Sequence, residues 1–463
     1  MNKQDKKELR QQIACEWLEN NYLSFSSLRH DVITDRLQIR CADSTGERQE
    51  RWRNLTDKDI NTMVCNCVAE AQVNINVSEM WTALKSDMVP SVHPIRAWLD
   101  GLPPYTPDQP DWIDWLASQV RVKNNDNIDN LRGNQLPAAL KENTPCRSRD
   151  VDSSGTLSKL SSNNNHSLSS PNNPADRLWR GCFKKWFVAM VASWMKDEVV
   201  NHTVLVLVGR QGIFKTTWLD YLIPPALREY SSKLPLSGQI SKDDRLRLCE
   251  NAMLNIDELD AICGREMNIV KSLLTSTDVN ERAAYGRLKE RRVRLASFCA
   301  STNNREFLTD ITGNRRWLPF EVESIQNPFH SIIPYEQMYA QAWALAQDPF
   351  FSYWFDLDEI EVLEQHNQHF RDESNEEQLL DVYFAVPPTD ATNAKFLTTA
   401  EISERLIYYG NIKKPMTLSR LGVLLSQKGF LSVRRGNPSR RGWIIYERES
   451  QEVNAERAIL SKH

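Results

Sequence analysis

The run VLVLVGRQGIFKTTWLDYL, Val204 to Leu222, constrains the fold more than any other stretch of this chain. Its five leading apolar residues are too few for a helix in water, and their Val content suits a strand buried on both faces. A glycine-bearing turn follows, then Lys215 and Thr216 at the head of an amphipathic segment. The order is strand, phosphate-binding loop, helix.

Gly209, four residues, Phe214, Lys215 and Thr216 reproduce the spacing of the nucleotide-phosphate loop, with Phe214 in place of the second glycine. Small residues let successive backbone N–H groups turn inward onto phosphate oxygens, and a helix N-terminus adds partial positive charge. The expected cradle is Gly209, Gly212, Ile213, Phe214, Lys215, Thr216 and Thr217, for ATP with Mg2+. Lys215 would reach the β- and γ-phosphates, and Thr216 would offer its hydroxyl to magnesium. A large side chain at 214 removes glycine's backbone freedom, which Gly212 is expected to supply instead. Read alone, the run also describes a Gly-Lys turn capping an ordinary buried strand.

Downstream residues separate the two readings. AMLNIDELD is a short apolar strand ending in Asp257 and Glu258, one carboxylate for the metal shell and one to polarise attacking water. VRLASFCAST predicts a third strand running into Asn303 and Asn304, where an amide positions the water or senses the γ-phosphate; Asn303 is preferred. Arg315 and Arg316 follow a Thr-Gly-Asn turn, which would expose them as candidates for an arginine finger.

A chain of 463 residues exceeds one ordinary core, so two to four domains are expected. A net charge of −4 leaves nucleic-acid attraction to local basic patches. The nine cysteines form no CxxC pair and are odd in number, which disfavours zinc and disulfide frameworks and fits a reduced, cytoplasmic setting. The charged opening MNKQDKKELRQQ lacks a signal-peptide core, and no run approaches the length of a membrane span.

Residues 1–125 read as an independent mixed α/β module, with a hairpin in VITDRLQIR and helices capped by Thr56 and Ser78. Asp108, Asp111 and Asp114 sit in helix-start context rather than as a metal cluster. Residues 126–175, dominated from Ser153 to Asn173 by Ser and Asn, suit a disordered linker. The ATPase core is expected over 176–325, entered by a long helix whose aromatic stripe packs on the sheet. A helical extension covers 326–390, where His366 and His369 read as surface residues. Residues 391–448 outline a winged-helix-like domain with Arg434, Arg435, Arg440 and Arg441 on a basic hairpin, and 449–463 form a tail.

The blocks MVASWMKDEVVNHTVLVLVGRQGIFKTTWLDYLIPP, ERAAYGRLKERRVRLASFCASTNNREFLTD and TGNRRWLPFEV resemble the virulence-associated protein E family. Its members are P-loop ATPases of phages and integrated mobile elements, similar to superfamily-three helicases and AAA+ replication ATPases. The resemblance implies an α/β P-loop NTPase of ASCE/AAA+ type, with helices flanking the sheet, acting on DNA as a homo-oligomeric ring. By this likeness Lys215 and Thr216 match Walker A, Asp257 and Glu258 Walker B, Asn303 sensor 1, and Arg315 or Arg316 the finger. Between the second and third core strands, Arg282, Tyr285, Arg287 and Lys289 match a pore hairpin that touches DNA. A helicase or replication-initiation motor is the leading expectation, and a nucleotide-gated DNA-binding regulator without unwinding is the alternative.

Overall fold

The computed structural model describes residues 3–41, 51–124, 173–234, 241–257, 259, 264–281, 290–308, 314–388, 393–413, 415–436 and 439–460. They fall into two compact units, Met1–Asn303 with Arg316–Leu363, and Asn304–Arg315 with Glu364–His463. Among the described residues no helix is long and apolar enough to cross a membrane. The linker expected at 126–175 lies almost wholly outside them.

The first unit opens with α1 (Lys3–Leu18), β1 (Leu28–Asp31), β2 (Arg36–Cys41) and β3 (Arg51–Asn54). The β1–β2 hairpin starts four residues before the VITDRLQIR reading, because Asp31 pairs with Arg36 and leaves 32–35 as the turn. Thr56 and Asp59 form the expected capping box on α2 (Asp57–Ala71). α3 (Val77–Leu84) is capped by Asn76 with Glu79, not by Ser78. β4 (Ser91–Val92) completes a four-stranded sheet of order β3-β2-β1-β4, whose inner face packs Leu28 and Leu37 with Leu18, Ile60, Met80 and Leu84 of the helices.

There follow α4 (Pro94–Asp100), α5 (Trp112–Ser118) and β5 (Val120–Val122). β5 pairs antiparallel with residues 322–325, and Ile95, Leu99, Ile113 and Leu116 share the core of the central sheet. The reason is apolar area: two short helices and a three-residue strand cannot bury their own faces.

α6 (Pro174–Met195) crosses the central sheet with nearly every inward residue buried, its indoles donating to backbone carbonyls, Trp186 to Phe298 at 3.2 Å and Trp194 to Ala252 at 3.2 Å. The aromatic stripe is thus core. β6 (Val204–Val208) is buried along its whole length, and each side chain so covered contributes roughly 1.5–3 kcal/mol before entropy. There follow α7 (Lys215–Asp220), β7 (Ser231–Lys233), α8 (Lys242–Glu250), β8 (Met253–Ile256), α9 (Gly264–Thr275), β9 (Asp278–Glu281), β10 (Glu290–Val293), β11 (Ser297–Thr302) and β12 (Trp317–Ile325). The sheet runs β5-β12-β6-β11-β8-β7, parallel throughout except for β5.

The single strand expected over VRLASFCAST is two. Among the described residues β10 pairs only with β9, and β11 lies between β6 and β8. Arg294 sits at the break, and its buried guanidinium is satisfied there by donating to the carbonyls of Asn201, Leu273, Leu274 and Ala296 at 2.8–3.2 Å. α10 (Tyr335–Gln347) covers α6, with Tyr339 against Phe187 and Trp194. α11 (Leu357–Asn367) follows, and its Glu359 forms a buried ion pair with Lys185 of α6 at 2.6 Å.

The second unit contains α12 (Asn375–Tyr383), β13 (Phe384–Ala385), β14 (Lys395–Leu397), α13 (Thr399–Gly410), α14 (Leu418–Gln427), β15 (Leu431–Arg435), β16 (Arg440–Glu447) and α15 (Ser450–Leu460). β16 pairs antiparallel with β13, β14 and β15. Apolar residues one helical turn apart line one face of α13 and of α14, so that Ile402, Leu406, Leu421 and Leu425 pack against Trp443 and Ile445 of β16. The surface reading of His366 is corrected here: it is 3% exposed, with its ring 5.3 Å from Phe370, while His369 is half-buried. The apolar stripe of α11 extends to position 366 and carries the imidazole inward.

Candidate functional site

Parallel strands release their chains at one edge of a sheet, so residues just beyond β6, β11 and β8 arrive together. The turn after β6 depends on three positive φ values, +154° at Gly209, +86° at Gly212 and +67° at Phe214. A Cβ at Gly209 would sit 2.8 Å from the Val322 carbonyl oxygen, so only glycine fits there. Gly212 does supply freedom, as expected, but it does not spare Phe214, which itself adopts the left-handed conformation. Ile213 packs inward on the core, and Gly212, Phe214 and Lys215 line a cleft of about 360 Å³.

Lys215 is 7% exposed, and its Nζ donates to the carbonyls of Gly209 (2.6 Å) and Arg210 (2.8 Å) and to Asn303 Oδ1 (3.0 Å). Asn303 therefore meets the lysine, whereas Asn304 closes a turn on Glu306. Thr216 Oγ1 donates to Asp257 Oδ1 at 3.2 Å and lies 3.0 Å from Ser301 Oγ, which also donates to Asp257 Oδ1 at 3.2 Å. The other oxygen, Oδ2, accepts from Lys233 Nζ at 2.5 Å. Burial alone would raise the Asp257 carboxyl, but the Lys233 hydrogen bond and charge, with Thr216 and Ser301, hold it below the ordinary carboxylate value. Thr217 lines the same cleft.

Two of these residues were not foreseen. Ser301 gives a faint signal, a hydroxyl two positions before Asn303 in a strand. Lys233 gives none, because β7 is three residues long and has no readable period.

Other expected positions are distributed as follows. Glu258 lies outside the described residues, as do Arg282, Tyr285, Arg287 and Lys289 between β9 and β10. Arg315 and Arg316 lie in a 3-10 turn, Arg315 exposed and Arg316 half-buried. Burial, with the charge of Arg316, brings the Lys271 ammonium down to about 8. Asp111 caps α5 and pairs with Lys184, and Asp114 pairs with Arg180, so both acids are structural. No metal-binding cluster of His, Cys, Asp or Glu occurs among the described residues. On the β15–β16 hairpin, Arg434 opposes Arg441 and Arg435 opposes Arg440, and all four are exposed.

No curated protein matches the chain. Among solved structures, the apo NrS-1 C-terminal region aligns over 92% of this chain and 97% of its own at 11% identity, with a TM-score of 0.38. The A form of that region aligns over 93% and 99% at 11% identity, with a TM-score of 0.39. Residues 165–376 match the family described as the virulence-associated protein E-like domain.

Proposed function

We propose that the cleft after β6 binds ATP with Mg2+ and hydrolyses it, in a P-loop ATPase core of ASCE/AAA+ type coupled to DNA. The observation that carries this reading is convergence: Lys215 on Asn303, and Thr216 on Asp257, from the ends of three adjacent parallel strands. Lys215 is held by carbonyls of the loop itself, and backbone N–H groups turned inward beside that ammonium would hold a triphosphate. The oxygen donors of Thr216, Ser301 and Asp257 suit a hard cation such as magnesium, and Thr216 and Asp257 would hold it. When bound, that ion would neutralise charge on the β- and γ-phosphate oxygens. Asn303 is the proposed amide that orients a water or contacts the γ-phosphate, Glu258 the proposed base, and Arg315 or Arg316 the proposed finger supplied across a ring interface.

DNA contact is assigned to the exposed arginine pairs of β15 and β16, in a winged-helix-like arrangement, and to Arg282, Tyr285, Arg287 and Lys289. Like charges directly opposite on a hairpin repel, and a phosphate between them removes that cost. The family match and this arrangement together support a helicase or replication-initiation ATPase of a phage or mobile element. One observation favours the second reading, a nucleotide-gated regulator: Asp257 already carries a cation, Lys233, which favours a slow switch.

Phosphate release measured with and without single-stranded DNA, alongside a forked-duplex displacement assay, tests both. DNA-stimulated release with strand separation is expected. Nucleotide-dependent assembly without separation selects the regulator, and no nucleotide-dependent behaviour of any kind overturns both readings.

A further inference from the structure

Lys233 is the last residue of the edge strand β7, paired in parallel register with Asn255, two positions before Asp257. Its backbone is fixed on both sides. Tyr230, just before the strand, is buried and donates to Asp31 at 3.0 Å, and the Leu234 N–H donates to the Asn255 carbonyl at 2.9 Å. Its side chain, by contrast, is 58% exposed and reaches Asp257 from the solvent side. The ammonium meets Asp257 Oδ2, the oxygen turned away from Thr216 and Ser301. A second carboxylate lies close by: Asp220 accepts from the Asn255 amide at 2.9 Å and feels the charges of both Lys233 and Asp257. Lys233 thus acts on both acids, and Arg228 on Asp220 as well, at the place where a divalent cation would have to enter.

Resting on the nucleotide reading above, we propose that Lys233 is the resident counter-ion of the metal position. Its ammonium holds Asp257 while the cleft lacks nucleotide, and it gives way to the divalent cation when Mg-nucleotide enters. The exchange is feasible because an exposed ion pair is weak, whereas an incoming cation is held by phosphate oxygens as well as by the hydroxyl and carboxylate. Lys233 is thus a positioning residue, one that sets how much free magnesium the site needs.

The test is the binding of a fluorescent ATP analogue to the full chain as free Mg2+ is raised, comparing wild type with Lys233→Met and Lys233→Arg. Lys233→Met keeps the stem and removes the charge, and it should lower the half-saturating Mg2+ concentration about two- to five-fold, the range an exposed ion pair covers. Lys233→Arg keeps the charge and should retain the wild-type value. An unchanged or raised requirement in Lys233→Met overturns the proposal, as do equal shifts in both variants, since side-chain shape would then be the cause. If wild type binds the analogue and Lys233→Met behaves identically, this inference alone falls. If wild type shows no magnesium-dependent binding, the nucleotide reading falls with it.

Discussion

Phe214 holds a left-handed backbone, φ +67°, at the position where the loop motif has glycine. Its ring sits edge-on to Phe329 at 6.3 Å, the contact that offsets part of the strain. For a residue bearing Cβ this conformation costs about 1–2 kcal/mol relative to glycine. Phe214→Gly and Phe214→Ala lose the same ring, but only alanine keeps the strain. Phe214→Gly should therefore be more stable than Phe214→Ala by about 1 kcal/mol, read as the difference in urea midpoints; equal midpoints would show that the loop does not hold this conformation. Lys215 poses the opposite balance. Its ammonium is buried and fully engaged by oxygen acceptors, so its location follows from the turn and not from the lysine's own flexibility.

At the scale of elements, α4 provides a pH test. His93 caps this helix by accepting the Arg96 N–H on Nδ1 at 3.3 Å, a role only the neutral ring can fill. Burial first, then the Arg96 charge, lowers its pKa from 6.5 to about 4. The unfolded chain binds the proton first as pH falls, so the stability present above 6.5 is lost progressively down to about 4. Between pH 7 and 5 the wild type should lose about 1 kcal/mol more than His93→Asn, a cap that does not titrate, after allowance for partial exposure. Parallel acid limbs in urea unfolding would contradict this. On the β15–β16 hairpin, replacing Arg434, Arg435, Arg440 and Arg441 together should weaken DNA binding and flatten the slope of log affinity against log salt by about one for each phosphate no longer neutralised. An unchanged slope would assign the hairpin to a protein partner. Elements were legible wherever their determinants were local: the Val-Leu strand β6, the Thr56–Asp59 box and the aromatic face of α6 were all readable. The β10–β11 break was not, because the carbonyls that satisfy Arg294 there come from residues 201 and 273–274.

For the whole molecule, the central sheet draws strands from residues 120 to 325, and its least readable member is the most distant one, β5. Three residues, Val-Arg-Val, carry no sign that they pair with 322–325 across some two hundred positions; long-range pairing is set by what remains to be covered, not by local pattern. The cleft was legible for the opposite reason. A parallel sheet delivers strand ends to one edge, so Lys215, Asp257 and Asn303 could be placed together from three short apolar runs, while Lys233 and Ser301 emerged only from side-chain geometry. The whole account depends on a triphosphate lying against Lys215. Calorimetric titration of Mg-ATP into the full chain and into Lys215→Ala tests it most directly. The account predicts saturable binding in the wild type, lost in a variant that still unfolds cooperatively; equal affinity in the two proteins, or no heat from the wild type, would contradict it.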